Sequence, residues 1–236
     1  DQELEVNGNE LILAPPADYN GSGTVEVTVT DDADDSLSDS VTFTLIVNPV
    51  NDAPTLPDLA AASVAEEGTY TLELSGSDVD GDLLTFLGSV DGNGSVSVAG
   101  STLSVTPNVD FNGDIEVTVI ASDNQASGSG SFTLTVTPVN DAPVLGALDN
   151  QEIDEDSFIT INLTGTDVDS ENLIFSASNG DSHISVVGST LTITPPGNYF
   201  STDQTDDTVT VTVTDDADDS LSDSVTFTLI VNPVND

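Results

Sequence analysis

The chain contains no lysine, no arginine, no cysteine, no methionine and no tryptophan, and a single histidine, His183, in 236 residues. Each absence excludes something. Without cysteine there are no disulfides and no thiolate metal sites. Without lysine or arginine nothing balances the 43 Asp and Glu residues, so the formal net charge is −43. Phosphate recognition needs cations, which excludes nucleic acid as a partner, and the same charge opposes docking on an anionic membrane. Divalent cations and basic surfaces are the partners such a chain attracts. Two carboxylates 4 Å apart repel by about 1 kcal/mol in water and by about 4 kcal/mol at an effective dielectric near 20. The compact state therefore calls for salt or a bound cation. No apolar run approaches the roughly 18 residues of a membrane helix, and no stretch of these residues reads as a signal peptide. The sequence opens directly in a strand-like pattern, as an excerpt of something longer would.

What is present is repetition. Val-Asn-Asp occurs at 50–52, 139–141 and 234–236, 89 and 95 residues apart. The first two copies continue as Ala53-Pro54 and Ala142-Pro143. The 26 residues from Val27 to Asp52 recur unchanged from Val211 to Asp236, which is the mark of duplication of a two-module unit. Within each module the apolar residues alternate with period two: Tyr70, Leu72 and Leu74; Ile115, Val117 and Val119; Phe132, Leu134 and Val136. The last module does the same at Ile159, Ile161 and Leu163, at Val209, Val211 and Val213, and at Phe227, Leu229 and Val231. No helical period is visible. This regularity argues against disorder in spite of the charge.

The pattern predicts strands A to G of the middle module near 59–65, 69–76, 83–88, 94–98, 101–106, 114–121 and 130–137. Seven short strands with turns every 8–12 residues read as a Greek-key sandwich. The fold expected is all-β, with immunoglobulin- or cadherin-like sandwiches stacked head to tail. The domains expected are 1–52, 53–141 and 142–236, of which the first aligns with strands D to G alone and opens on an Asn7-Gly8 hairpin turn. An arbitrary cut through an array and completion by a neighbouring chain's strands are both compatible with that half-module.

Val-Asn-Asp-Ala-Pro boundaries, together with Asp78-Val79-Asp80-Gly81-Asp82 after strand B, resemble the cadherin-like tandem repeats of giant bacterial surface adhesins and matrix proteins. The resemblance covers the whole chain, counting the half-module. It implies Ig-like sandwiches, calcium at module junctions, an extracellular or cell-surface setting, and a role in adhesion or biofilm.

Strand topology places acidic residues independently of that resemblance. The BC and FG loops of a seven-strand sandwich lie beside the incoming linker, and the AB and EF turns lie beside the outgoing one. For the linker between middle and last modules this nominates Glu66 and Glu67 (AB), Asp114 (EF), Asn140 and Asp141 (linker), Asp167 and Asp169 (BC) and Asp215 (FG) as metal ligands. For the preceding linker it nominates Asn51, Asp52, Asp78, Asp80 and Asp123, without an AB glutamate, so that site is expected to be weaker. Glu155, Asp156, Asn235 and Asp236 form the corresponding set at the far end. Hard oxygen donors suit Ca2+, which takes six to eight of them. The resemblance points to the same arrangement: an AB glutamate, a linker Asn-Asp and an Asp-x-Asp on the next module.

Other signals are weaker. The last module reads Asp167-Val168-Asp169-Ser170-Glu171, with Ser and Glu where the middle module has Gly81 and Asp82. The Asp-Asp-Ala-Asp-Asp runs at 31–35 and 215–219 fall in FG loops, where the first Asp is a ligand candidate and the rest read as solvated charge. An EF-hand is discounted, since no helices flank the Asp78 motif. His183 lacks a nucleophile and an orienting partner, and the acidic residues cluster at turns rather than in the cleft a glycosidase needs. Asn20, Asn93 and Asn162 fit the glycosylation sequon. No row of aromatic residues offers a polysaccharide platform. The expected function is therefore non-catalytic: a calcium-stiffened spacer whose receptors or polysaccharide are bound by other regions. The alternative is a subunit of a fibre that assembles head to tail with neighbouring copies.

Overall fold

The computed structural model describes residues 3–33, 37–169, 172–179, 183–201, 207–216 and 220–235. It divides into two compact units, residues 1–138 and 139–236, and every regular element among the described residues is a strand.

In the first unit, β1 (Glu3–Asn7) and β2 (Glu10–Ala14) form one antiparallel hairpin, and β3 (Gly21–Thr30) and β4 (Ser38–Val47) form another. The β1–β2 turn is built on Gly8 and Asn9, one residue later than the Asn7-Gly8 expectation, because Asn7 pairs with Glu10 across the ladder. Gly8 takes φ 65°, the left-handed backbone that a two-residue hairpin needs at its first central position.

Residues 51–137 complete a sandwich. One sheet runs β5 (Ala62–Ala65), β11 (Ser127–Thr137), β10 (Gly113–Ser122), β7 (Thr85–Val90); the other runs β6 (Tyr70–Glu73), β9 (Thr102–Pro107), β8 (Gly94–Ala99). β5 lies parallel to β11, and all the other pairings are antiparallel. Leu103, Val105, Ile115, Val117, Val119, Phe132 and Leu134 fill the space between the sheets. Strand A departs from expectation. Its first part is a single bridge from Thr55 to Ser77, and only its second part, β5, joins β11. The interval holds Pro57, which has no N–H to give a ladder, so the chain switches sheets there.

The second unit repeats this plan. β13 (Gln151–Asp154), β20 (Ser222–Asn232), β19 (Thr208–Asp215) and β16 (Leu173–Ser178) make one sheet. β14 (Ile159–Asn162), β18 (Thr190–Ile193) and β17 (Ile184–Val187) make the other. The short pair β12 (Val144–Leu145) and β15 (Gly165–Thr166) stands where Thr55 and Ser77 bridge. Its core holds Leu191, Ile193, Val209, Val211, Val213, Phe227 and Leu229. β13 again lies parallel to β20, the connection that characterises Ig-type sandwiches with a divided first strand.

Candidate metal centre

Five carboxylates are buried among the described residues: Glu66, Asp123, Glu155, Asp207 and Asp215. In a chain with no lysine or arginine, none of them can be neutralised by an ammonium or guanidinium side chain. Their negative charge must be met by N–H and O–H donors, protons or cations.

The linker site within the first unit is the most completely built. Asn51 donates from Nδ2 to Asp123 Oδ2 (2.9 Å) and to the Asp52 carbonyl (3.0 Å), and its Oδ1 accepts from Gln125 Nε2 (2.9 Å). The backbone N–H of Asp52 donates to Asp80 Oδ2 (2.8 Å). Asp78 Oδ1 accepts from the N–H groups of Asp80 (2.9 Å) and Asp82 (3.3 Å), folding the Asp-x-Asp-x-Asp turn on itself. Gly81 sits in that turn at φ 80°, a conformation that glycine adopts at no steric cost. The other oxygen of Asp78, Oδ2, is buried and meets no donor.

Asp18, which sequence reasoning missed, comes from the corner between β2 and β3. It joins Asp52 and Asp80 in lining a cavity of about 310 Å3. The corner recurs: Tyr19, Phe111 and Tyr199 each donate their N–H to the carbonyl three residues back. Asp18, Asp110 and Asn198 hold the left-handed position just before them, which Asp and Asn tolerate best among non-glycine residues. That recurrence was the available signal in the sequence.

The two carboxyls at this linker are pushed in opposite directions. Asp52 lies above the ordinary Asp range, because burial disfavours its charge and Asp18, Asp80 and Asp78 repel it. Asp123 lies below it, because the Ala126 N–H, the Asn51 side chain and the Gln125 N–H favour the carboxylate. The signs follow from proton linkage. Asp123 contributes stability that is present above its unfolded pKa and lost as pH falls through the folded one. Asp52 does the reverse, its native state gaining stability as pH falls through its raised pKa. A metal-free carbon-detected NMR titration is expected to show Asp52 taking its proton at higher pH than Asp123, and the opposite order would contradict this description.

The second unit repeats the architecture. Asn140 donates from Nδ2 to Asp215 Oδ2 (2.5 Å), the Asp141 N–H donates to Asp169 Oδ2 (2.8 Å), and the Asp169 N–H donates to Asp167 Oδ1 (2.8 Å). Carboxylate oxygens of Asp141 and Asp169 lie within 4.8 Å of each other. Of the remaining nominated residues, Glu66 is buried where its N–H bonds the Thr137 carbonyl, and Glu67 is exposed. Asp114 accepts from Thr135 Oγ1 (2.8 Å) on the β10–β11 ladder. Glu155 occupies the position of Glu66 in the second unit. It accepts the Val234 N–H through Oε1 (2.7 Å), while its Oε2 is buried with no donor. Ser170, Glu171, the later residues of the two Asp runs and Asp236 lie outside the described residues.

All these donors are hard oxygens, and the orphaned oxygens of Asp78 and Glu155 are what an oxygen-seeking divalent cation would satisfy. Fold and side chains together define tandem Ig-like β-sandwiches with carboxylates gathered at their linkers. The chain belongs to the bacterial Ig domain family, whose model matches residues 51–137 and again 140–228. No curated protein matches it. Among solved structures it is similar to protocadherin gammaB7 EC3-6, at 16% identity and TM-score 0.54, covering 98% of this chain and 66% of that one. It is also similar to human protocadherin-24 EC1-2, at 14% identity and TM-score 0.53, covering 78% of this chain and all of that one. At such identities the likeness is one of fold. An endo-fucoidan hydrolase of glycoside hydrolase family 107 matches at 19% identity and TM-score 0.35, over 99% of this chain and 37% of the enzyme's length. That likeness is too loose to bear on activity. Among the described residues no helix is long and apolar enough to cross a membrane.

Proposed function

We propose that the chain is a non-catalytic, extracellular structural repeat of a bacterial surface adhesin or biofilm protein, of the Val-Asn-Asp-Ala-Pro type, stiffened by Ca2+ at its module linkers. The observation that carries this reading is the first unit's linker site. There Asp18, Asp52 and Asp80 face one cavity beside the donor-less oxygen of Asp78, in a chain with no lysine or arginine to balance them. The second unit's Asn140, Asp141, Asp167, Asp169 and Asp215 repeat the set, and Glu66 and Glu155 mark the opposite ends of the two sandwiches. A bound divalent cation would relieve the mutual repulsion of these carboxylates and tie segments that are remote in sequence. Neighbouring modules of the same kind are the partners this reading supplies.

Titration of the metal-free chain with Ca2+ in a calorimeter is the direct test. Saturation at 100 times Kd is expected to raise stability by about 2.7 kcal/mol. Asp78→Ala is expected to weaken binding at the first unit's linker while leaving the Leu134 core folded. No binding heat, together with an unchanged melting temperature on adding chelator, would sink the calcium reading.

A further inference from the structure

The linker asparagines do something different from the aspartates that follow them. We propose that Asn51 and Asn140 are positioning residues: their carboxamides clamp each linker to the module that follows it, and they do not ligate a cation through the side chain. In the first unit both ends of the Asn51 carboxamide are engaged by protein, Nδ2 by Asp123 and the Asp52 carbonyl and Oδ1 by Gln125. Asp123 is only 6% exposed, and its Oδ1 is held by the N–H groups of Gln125 (2.6 Å) and Ala126 (2.6 Å). Its second oxygen therefore needs a neutral donor, since the chain has no lysine or arginine to offer. The second unit gives the same answer from different surroundings. Asn140 donates to Asp215, which is fully buried, and to the Asp141 carbonyl (3.4 Å).

The clamp explains the order of the Val-Asn-Asp motif. An aspartate in the first position would set two carboxylates at hydrogen-bond distance with no proton between them. An aspartate in the second position works through its backbone N–H, which bonds Asp80 in one unit and Asp169 in the other. Two N–H or amide anchors per linker thus join it to the downstream sandwich before any cation arrives. The family matches begin at residues 51 and 140, which agrees with the linker being structurally part of the module it precedes. Immediately upstream, Pro49 has no N–H to donate and Val50 is 80% exposed, so the anchoring begins at Asn51.

The clamp does not depend on calcium, and its test is run in chelator. Amide exchange of the full chain, read residue by residue by NMR, is expected to show Asp52 and Asp141 protected by about tenfold or more relative to Val50, as charge-assisted hydrogen bonds provide. Asn51→Asp is expected to bring Asp52 to the Val50 rate, and Asn140→Asp to do the same for Asp141, with the Val117 and Val211 amides unchanged. Asn51→Ala should act like Asn51→Asp and serves if the charged variant unfolds. The same variants separate clamp from ligand when Ca2+ is added: a clamp loses affinity in Asn51→Asp, whereas a side-chain ligand keeps or gains it. An unprotected Asp52 amide in the native sequence, or tighter Ca2+ binding by Asn51→Asp, would overturn the proposal. Protection without any Ca2+ binding would keep the clamp and remove the calcium reading.

Discussion

Phe227→Ala is expected to destabilise the second unit by about 3–5 kcal/mol, while Phe43→Ala costs about 1–2 kcal/mol, although the two phenylalanines lie at the same place in identical 26-residue segments. Phe227 is 3% exposed and packs in the second unit's core, whereas Phe43 is 40% exposed. Val213 and Val29 show the same contrast, at 0% and 69%. In the second unit, β19 and β20 are flanked by β16 and β13 and covered by the β14–β18–β17 sheet, so removing the ring leaves a cavity closed on every side. Among the described residues β3 and β4 pair only with each other, and at Phe43 water already reaches what a truncation would expose. Calorimetry reads the difference as a fall of more than about 10 °C in the second unit's transition for Phe227→Ala and a much smaller fall for Phe43→Ala. Equal losses at the two positions would show that local sequence, and not the covering sheet, sets the energetics of this segment.

That pair also marks what a sequence can and cannot disclose. Period-two alternation located β6 to β11 within a few residues, because inward positions such as Leu103, Val117 and Leu134 must be apolar wherever two sheets close on each other. The divided first strand was not legible. Its break depends on Pro57 and on which of two sheets offers the next free edge, and the second condition exists only in the folded chain. The linker aspartates were legible because they recur beside Asn-Asp in both complete modules. Asp18 and Gln125 were not, since a corner and a loop reach the linker only through the fold. Asn51 and Asn140 were nominated as ligands, and the clamp proposed for them rests on the hydrogen bonds around buried Asp123 and Asp215, which alternation cannot supply.

The second large effect is expected at Asp207, a carboxylate inside an apolar core. In the middle module Ile115 faces Leu134 across the β10–β11 ladder and is fully buried. In the second unit the matching position beside Leu229 is Asp207, 8% exposed, whose carbonyl accepts the Leu229 N–H. The carboxylate accepts the Tyr199 hydroxyl at 2.5 Å and also the Ser201 hydroxyl. Ser201 in turn exchanges hydrogen bonds with Val231, its N–H donating to the Val231 carbonyl and its Oγ accepting the Val231 N–H (both 3.0 Å). The side chain thus ties the segment between β18 and β19 to strand β20. Asp207→Ala takes the acceptor from two hydroxyls at once, at about 1–3 kcal/mol for each buried group left unsatisfied, and is expected to cost about 2–5 kcal/mol in all. The middle module shows how the loss is recovered, since it carries Phe111 where Tyr199 stands. Asp207→Ile combined with Tyr199→Phe and Ser201→Ala removes the acceptor and both hydroxyl donors together and is expected to be more stable than Asp207→Ala, its remaining deficit of about 1–3 kcal/mol being the Val231 N–H that loses the Ser201 Oγ acceptor. Urea unfolding of the single and triple variants checks both numbers. If the triple variant is as unstable as Asp207→Ala, the carboxylate does more than satisfy two hydroxyls. If Asp207→Ala is neutral, the network contributes nothing, and the burial of a charge in this core has another cause.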